Sequence, residues 1–199
     1  MAKGRAGRFG VLMLALALPA CADGDSDEGA AVDAMPAAEE TAAAPALDDA
    51  TIAHIGVTAN AIDAEMGELA LERAEDAQVR AFAETMIRDH RGVNEQATAL
   101  ATRLGVTPTD NDVSRSLQSG AADARARLEG LEGAEFDRAY MQREVEYHQA
   151  VLDALDSTLL PNTTNAELKG LLETARGAVA AHLEHARTLS ESLGGAEAR

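Results

Sequence analysis

Apolar side chains recur at helical spacing through residues 49–193, and this is the only periodicity that the chain shows. Aromatic residues make up 3% of the sequence and tryptophan is absent, so a core has to be built from Ala, Leu, Val, Ile and Met. A core of this composition favours closely packed helices over a sheet. The sequence therefore predicts an all-α domain.

Four long helices are predicted, and a shorter one lies in the connection between the second and the third. The predicted ranges are 49–76, 77–104, 113–128, 133–160, and from the turn at 161–164 to about residue 193. Two tight helical hairpins joined by the long connection, residues 106–132, describe a ferritin-like four-helix bundle with one helical crossover between its second and third helices. An up-down-up-down bundle with a helical lid is the alternative topology.

Turn and capping residues predict where these helices begin and end. Asp48 or Asp49 caps the first helix, and Gly105 ends the second. A threonine of the 161–164 turn caps the last helix, which then ends at residues 194–195. Glycines also occur inside the helices, at Gly67, Gly92, Gly170 and Gly177. Each costs about 1 kcal/mol relative to alanine, so we expect them to mark close approaches between helices.

Three of the five histidines lie mid-helix on apolar stripes. His90 is on the second long helix, His148 on the third and His182 on the fourth. Of the other two, His54 points away from its stripe and His185 lies at the margin. Three imidazoles aimed at one helical core predict a polar site inside the bundle.

Carboxylates fall at the same level as these histidines when residues are counted outward from the hairpin turns. Asp63 lies 13 residues before position 76, and His90 lies 13 residues after position 77. Glu144 and His182 are each 19 residues from position 163, and His148 is about one turn from Glu144. We therefore expect these five side chains to cluster at mid-bundle.

Three interpretations of this cluster remain open. Neutral imidazoles and carboxylates suit a transition metal ion (Fe, Mn, Zn or Cu), with Asp89 and His185 as groups that orient the ligands. Alternatively, the same side chains satisfy one another in a buried hydrogen-bond network. No histidine has a glutamate three residues before it, which disfavours a carboxylate-rich di-iron ferroxidase. No catalytic residue is predicted, and a redox enzyme at the same site is a third interpretation.

The chain begins with the pattern of an export signal. Basic residues precede a short apolar run, residues 11–18, which is too short to span a bilayer as a permanent helix. The segment Leu18-Pro19-Ala20-Cys21 then resembles a bacterial lipobox. This pattern predicts a lipoprotein signal peptide over residues 1–20 and a lipid on Cys21, the only cysteine of the chain. A secretory signal without lipidation is the alternative.

Lipidation would hold the protein on a membrane of the cell envelope, facing the periplasm, and Ala22 after the cysteine favours the outer membrane. Residues 21–48 are mainly Ala, Asp, Glu, Gly and Pro, which predicts a flexible acidic tether before the domain at residues 49–195. Without residues 1–20 the chain has 14 basic and 34 acidic residues, a formal charge of −20. Such a surface attracts cations and repels nucleic acid, so no nucleic-acid partner is expected.

Several short segments of the domain carry a resemblance to a known family. They are Asp63-Ala64-Glu65-Met66-Gly67, Met86-Ile87-Arg88-Asp89-His90, Tyr140-Met141, Val145-Glu146-Tyr147-His148 and His182-Leu183. Over residues 48–193 the chain resembles the domain of unknown function 4142 family of bacterial envelope proteins, which belongs to the ferritin-like superfamily. The resemblance implies a ferritin-like bundle outside the cytoplasm, and it carries no established activity.

These patterns predict a lipid-anchored envelope protein whose bundle binds a transition metal ion, for metal buffering or stress protection. The predicted ligands are His90, His148, His182, Asp63 and Glu144. The alternative is a non-catalytic structural or protein-interaction module whose buried histidines and carboxylates form a hydrogen-bond network. No substrate is predicted in either case.

Overall fold

Every regular element in residues 47–196, the part of the chain that this computed structural model describes, is helical. The elements are α1 (Asp49–Arg73), α2 (Ala77–Leu104), α3 (Asp112–Glu129), α4 (Gly133–Ala154), a π-helical segment (Leu155–Leu159), α5 (Leu160–Asn162) and α6 (Ala166–Ala196). The predicted all-α class is confirmed for these residues. Within them, no helix is both long and apolar enough to cross a membrane. The predicted signal peptide, Cys21 and the tether up to residue 46 lie outside the described residues.

The long helices pair as two hairpins. α1 packs along α2, and α4 packs along α6, while α2 also contacts α6 and α1 contacts α4. The third helix, α3, belongs to the long connection between the hairpins and lies against α1 and α4. The connection therefore covers one side of the paired helices with a helix of its own.

Aspartates determine the start of α1 and the turn into α2. Asp48 caps α1, because its Oδ1 accepts a hydrogen bond from the backbone N–H of Thr51 at 2.7 Å. The predicted end of this helix, residue 76, is wrong. α1 ends at Arg73 because Ala74 adopts an extended backbone and Asp76 caps α2 instead.

The prediction was right for α2 and wrong for both ends of α6. α2 covers its predicted range and ends at Gly105, whose φ of 65° lies in the left-handed region. At the start of α6, Asn165 rather than a threonine accepts hydrogen bonds from the first backbone N–H groups of the helix. At the other end, α6 continues through residues 194–195 to Ala196.

The continuous helix predicted over residues 133–160 is interrupted by the π-helical segment, in which the backbone N–H of Leu160 bonds to the carbonyl of Leu155. Pro161 follows directly, at the start of α5. Proline has no N–H to donate, and its ring collides with the carbonyl four residues earlier in an α-helix. The wider π turn relieves that collision, and it directs both Leu155 and Leu159 into the core.

Two apolar clusters form the core, one towards each end of the long helices. One cluster includes Met66, Leu69, Phe82, Met86, Phe136, Tyr140, Met141, Ala186 and Leu189. The other includes Ile52, Ile55, Leu100, Leu155, Leu159, Leu168 and Leu172. Buried Asp137 lies within the first set in sequence and accepts hydrogen bonds from the backbone of Glu75 and Asp76. The other buried charged and imidazole side chains fall between the two sets on every long helix. They form a polar layer within an otherwise apolar interior.

Among the helical glycines, only Gly67 marks the close approach that was predicted for four of them. A Cβ added there would lie 2.9 Å from Cγ1 of Ile87 and 3.0 Å from the carbonyl oxygen of Ala83, so α1 and α2 touch at this point. The prediction is wrong for the other three, where an added Cβ meets nothing within 4 Å: Gly92, Gly170 and Gly177.

Candidate metal site in the polar layer

The polar layer collects side chains from all four long helices. α1 contributes Asp63, α2 contributes His90, α4 contributes Glu144 and His148, and α6 contributes His182. These side chains are all buried, at 0 to 7% exposure. The structure thus brings together the five residues that the sequence places at one level.

Three imidazole rings meet at the centre of the layer. The ring centroids are 5.6 Å apart for His90 and His148, 5.3 Å for His90 and His182, and 5.5 Å for His148 and His182. One nitrogen from each ring lies within 4.8 Å of the others. Nitrogens that share an ion at about 2 Å are about 3–4 Å apart, so a short inward movement of the rings would enclose a metal.

Hydrogen bonds orient the rings of His148 and His182. Nδ1 of His148 donates to the backbone carbonyl of Glu144 at 2.9 Å, which leaves the lone pair on Nε2. Nε2 of His182 lies 3.1 Å from Oδ2 of Asp89, an acceptor, which leaves the lone pair on Nδ1. Both remaining nitrogens are buried and have no hydrogen-bond partner. A carboxylate or carbonyl behind the ring is the arrangement that orients metal-binding histidines.

The ring of His90 is oriented by Asn60. The Asn60 amide donates through Nδ2 to the carbonyl of Gly56 at 2.8 Å, so its Oδ1 faces Nδ1 of His90 at 2.7 Å. With its proton on Nδ1, His90 turns an Nε2 lone pair towards Oδ2 of Asp63 at 2.9 Å. Neither atom has a hydrogen-bond partner. A second proton on the ring, or a cation bound by both atoms, would make the contact between Nε2 and Oδ2 favourable.

Arg143 occupies the other side of Asp63. Its guanidinium donates to Oδ1 of Asp63 at 2.6 Å and to Oε1 of Glu144 at 2.5 Å, and it lies over the ring of Tyr147. Oδ2 of Asp63 and Oε2 of Glu144 remain without a hydrogen-bond partner. Together with His148 they form a second group whose ligand atoms lie within 4.8 Å of one another.

The two buried carboxylates have opposite pKa shifts. Burial disfavours the charged form of Asp63, but the neighbouring His90, Arg143 and His148 outweigh it and hold the pKa of Asp63 well below its usual range. Burial, reinforced by the negative charge of Asp63, raises the pKa of Glu144 to about 8 despite the contact with Arg143. Asp63 is therefore the carboxylate that carries the negative charge at neutral pH.

Burial also keeps two of the imidazoles neutral. It lowers the pKa of His148 to about 4, against the opposing attraction of Asp63. It lowers the pKa of His182 as well, although Asp89 acts in the other direction. Neutral imidazole is the form that binds metal ions, so these two rings do not have to release a proton first.

Of the two residues predicted to orient the ligands, Asp89 contacts the cluster through His182, whereas His185 is exposed and packs edge-on against Phe82. Sequence reasoning did not identify Arg143 or Asn60. Arg143 was missed because arginine is normally taken as a surface residue. The adjacent buried Glu144 was the available signal that it is drawn inward.

The fold and the site define an all-helical protein with a buried layer of histidines and carboxylates. A family model for the domain of unknown function DUF4142 matches residues 34–189, and the chain therefore belongs to that family. This confirms the resemblance seen in the sequence. No match is found among curated proteins.

Several solved structures share the fold at low sequence identity. A DUF305 protein of Streptomyces coelicolor, described as secreted, is 14% identical with a TM-score of 0.62, covering 72% of this chain and 92% of its own. A DUF305 fragment from Deinococcus radiodurans is 18% identical with a TM-score of 0.60, covering 76% and 99%. CopM in its Cu(II)-bound form is 18% identical with a TM-score of 0.55, covering 73% and 98%.

Proposed function

We propose that this protein binds one transition metal ion in the polar layer of a ferritin-like four-helix bundle, through His90, His148 and His182. The observation that carries the proposal is the convergence of three imidazoles, each with one buried nitrogen that has no hydrogen-bond partner. Asp63 and Glu144 are the further candidate ligands. The function that fits such a site is metal buffering or protection against metal stress.

Copper is the first metal to test, followed by Zn, Fe and Mn. A set of three imidazoles suits copper or zinc, whereas a carboxylate-rich set would favour harder cations. The Cu(II)-bound state of CopM, a protein of similar fold, supports testing copper first. Asp63 adds a negative charge beside the rings, which offsets part of the charge of a divalent ion.

The decisive experiment measures metal in the purified full chain by elemental analysis after loading and gel filtration. We expect one equivalent in the wild type and its loss in each of the variants His90→Ala, His148→Ala and His182→Ala. His54→Ala is the matched control, because His54 contacts Thr58 and takes no part in the cluster. A metal-free wild type whose melting temperature responds to none of the four metals would overturn the proposal.

The contacts of Arg143 favour a second candidate function, a structural or protein-interaction module with a buried polar network. Arg143 bridges Asp63 and Glu144 through direct hydrogen bonds to both carboxylates. Buried networks of this kind serve to select one packing arrangement rather than to add stability. On this alternative, His182→Ala changes the melting temperature equally with and without added metal, and no metal is retained.

We also propose that the protein is exported and anchored by lipid on Cys21, with residues 1–20 removed as a signal peptide and residues 21–48 as a tether. The lipobox-like segment supports this, as does the description of one structural neighbour as secreted. Expression in bacteria with labelled fatty acid should label the wild type in the outer-membrane fraction and leave Cys21→Ala unlabelled. Label that persists in Cys21→Ala would exclude Cys21 as the anchor.

A further inference from the structure

A second feature of the interior is an apolar cavity of about 170 Å³ next to the polar layer. His90 and His148 line it from the polar layer, and Leu155 and Leu159 line it from the π-helical segment. Leu117 of α3 also contributes, so the crossover helix closes one side. The cavity therefore adjoins the candidate metal site without being part of its ligand set.

Small residues, rather than a packing defect at one point, leave this space open. Gly56, Ala59, Ala154 and Ala175 from three helices all border the cavity. A Cβ added at Gly56 would meet nothing within 4 Å. Protein interiors are normally packed as densely as organic crystals, so the open space at Gly56 beside three alanines marks a retained cavity. The π turn adds to it, and such turns are frequent at functional sites.

The lining restricts what the cavity can hold. Two of its polar side chains are already engaged: Asn60 bonds to His90 and to Gly56, and the Tyr147 hydroxyl donates to the carbonyl of Ala59 at 2.9 Å. The other two are His90 and His148, and Nε2 of each ring has no hydrogen-bond partner. The remaining surface is aliphatic. An anion would lose its hydration there without compensation, because neither the aliphatic surface nor a lone pair on an imidazole nitrogen attracts negative charge. An engineered apolar cavity of about 150 Å³ in another protein stays free of water and binds benzene, which sets the size of a suitable occupant.

We propose that this cavity is a binding site for one compact apolar molecule, an aromatic ring or a short alkyl chain, that packs against His90 and His148. α3 forms the cover through which it enters, and Val113 of that helix is 47% exposed at the edge of the cavity. The site does not depend on bound metal. An occupant would exclude water from the two imidazoles on the cavity side.

Binding of benzene and toluene to the metal-free full chain tests the proposal. Chemical-shift titration and thermal melting measure this binding. We expect saturable binding of one molecule per chain and a rise in melting temperature. Benzoate, which has the same ring and a negative charge, should bind much more weakly. Absence of saturable toluene binding, or tighter binding of benzoate than of toluene, would overturn the proposal.

Filling the cavity supplies the matched comparison. Gly56→Leu places a side chain in the open space and should abolish toluene binding while the protein remains folded. Gly170→Leu makes the same change on the exposed face of α6, where an added Cβ also meets nothing, and should bind toluene as the wild type does. If Gly56→Leu does not fold, Ala175→Leu fills the same cavity from α6. Unchanged toluene binding in a folded cavity-filling variant would refute the assignment.

Discussion

Nε2 of His90 and Oδ2 of Asp63 lie 2.9 Å apart in the interior, and neither atom has a hydrogen-bond partner. Asn60 accepts at the other nitrogen of the ring, so the lone pair of Nε2 faces the carboxylate. A positive charge at Nε2, from a proton or a bound cation, would make this contact favourable. A metal ion bound in the polar layer would provide that charge. The metal that binds most tightly should also stabilise the fold most, because it would bind the native state alone.

The amide of Asn60 should therefore control metal affinity through His90. Asn60→Ala removes the acceptor that keeps the proton on Nδ1, and we expect the metal affinity to fall by about 10- to 100-fold. Asn94→Ala is the control, because Asn94 also reaches from one hairpin helix to the other, donating to the carbonyl of Val57 at 3.1 Å. Competition with a chelator measures both. Equal losses in the two variants would show that only helix packing had been disturbed.

Asp89 should have the same role for His182. Its side chain is 32% exposed, so Asp89→Ala should fold normally while His182 loses the group that fixes its proton on Nε2. We expect about a 10- to 100-fold weaker metal affinity and little change in stability. Asp156→Ala, which removes a carboxylate from a surface pair with Arg176, should leave the metal affinity unchanged. An Asp89 variant with wild-type affinity would contradict the assigned orientation.

Arg143 should be important for the stability of the metal-free protein. Arg143→Met leaves Asp63 buried without its cation, and we expect a loss of about 3–5 kcal/mol in the free energy of unfolding. Arg176→Met breaks an exposed ion pair and should cost less than about 1 kcal/mol. Urea unfolding monitored by circular dichroism measures both. A loss below about 1 kcal/mol for Arg143→Met would mean that the carboxylates find other partners.

The raised pKa of Glu144 should appear as a loss of stability at alkaline pH. Its pKa is raised from 4.5 to about 8, so the folded state holds the proton more tightly, and the resulting stability is lost as the pH rises through 8. His148, with its pKa lowered to about 4 from 6.5, opposes this trend only below about pH 6.5. Between about pH 6.5 and 8.5 we expect the metal-free protein to lose on the order of 2 kcal/mol. Urea unfolding across this range measures it.

Two variants test this pH dependence, and the glutamates that they replace differ in burial. Glu144→Gln removes the titrating group and should flatten the dependence above about pH 6.5. Glu146→Gln changes an exposed glutamate on the same helix and should keep the wild-type slope. A wild-type slope in Glu144→Gln would assign the proton to another group.

Gly67 should be intolerant of a side chain, unlike glycines elsewhere in the helices. Gly67→Ala forces the new Cβ against Ile87 and the backbone of Ala83, and we expect a destabilisation of about 1–3 kcal/mol. Gly170→Ala and Gly177→Ala have open space and should stabilise the protein by roughly 0.5–1 kcal/mol, the gain in helix propensity. Thermal melting distinguishes the predicted destabilisation from the predicted stabilisation. A stabilised Gly67→Ala would contradict the close contact between α1 and α2.

Much of the helical arrangement was predictable because it depends on the spacing of apolar and turn residues in the sequence. The apolar repeat and the turn residues predicted α2 and the presence of α3, and counting from the turns placed Asp63 level with His90. The π-helical segment was not predictable in this way, since one widened turn leaves no period in the sequence. The roles given to Gly92, Gly170 and Gly177 were wrong because a glycine in sequence does not show whether a neighbouring helix is there.

The residues of the candidate site were predictable, but their hydrogen-bond partners and proton positions were not. Residue counting identifies which side chains share a level, because helical rise is constant. It does not show which nitrogen of His90 carries the proton, since this depends on the rotamer of Asn60 and the carbonyl of Gly56. Nor does it show that Arg143 turns inward, because that depends on the charge of a carboxylate from another helix.

Asp49, in the first turn of α1, accepts hydrogen bonds from the backbone of Thr164 and Asn165, so it joins positions 115 and 116 residues apart. On a ribosome these partners are synthesised in that order. The α1–α2 hairpin and the Asp48 cap of α1 need only neighbouring sequence, but the contact of Asp49 with the turn before α6 needs residues 164 and 165. The contact between Asp49 and this turn can therefore form only after most of the domain has been synthesised.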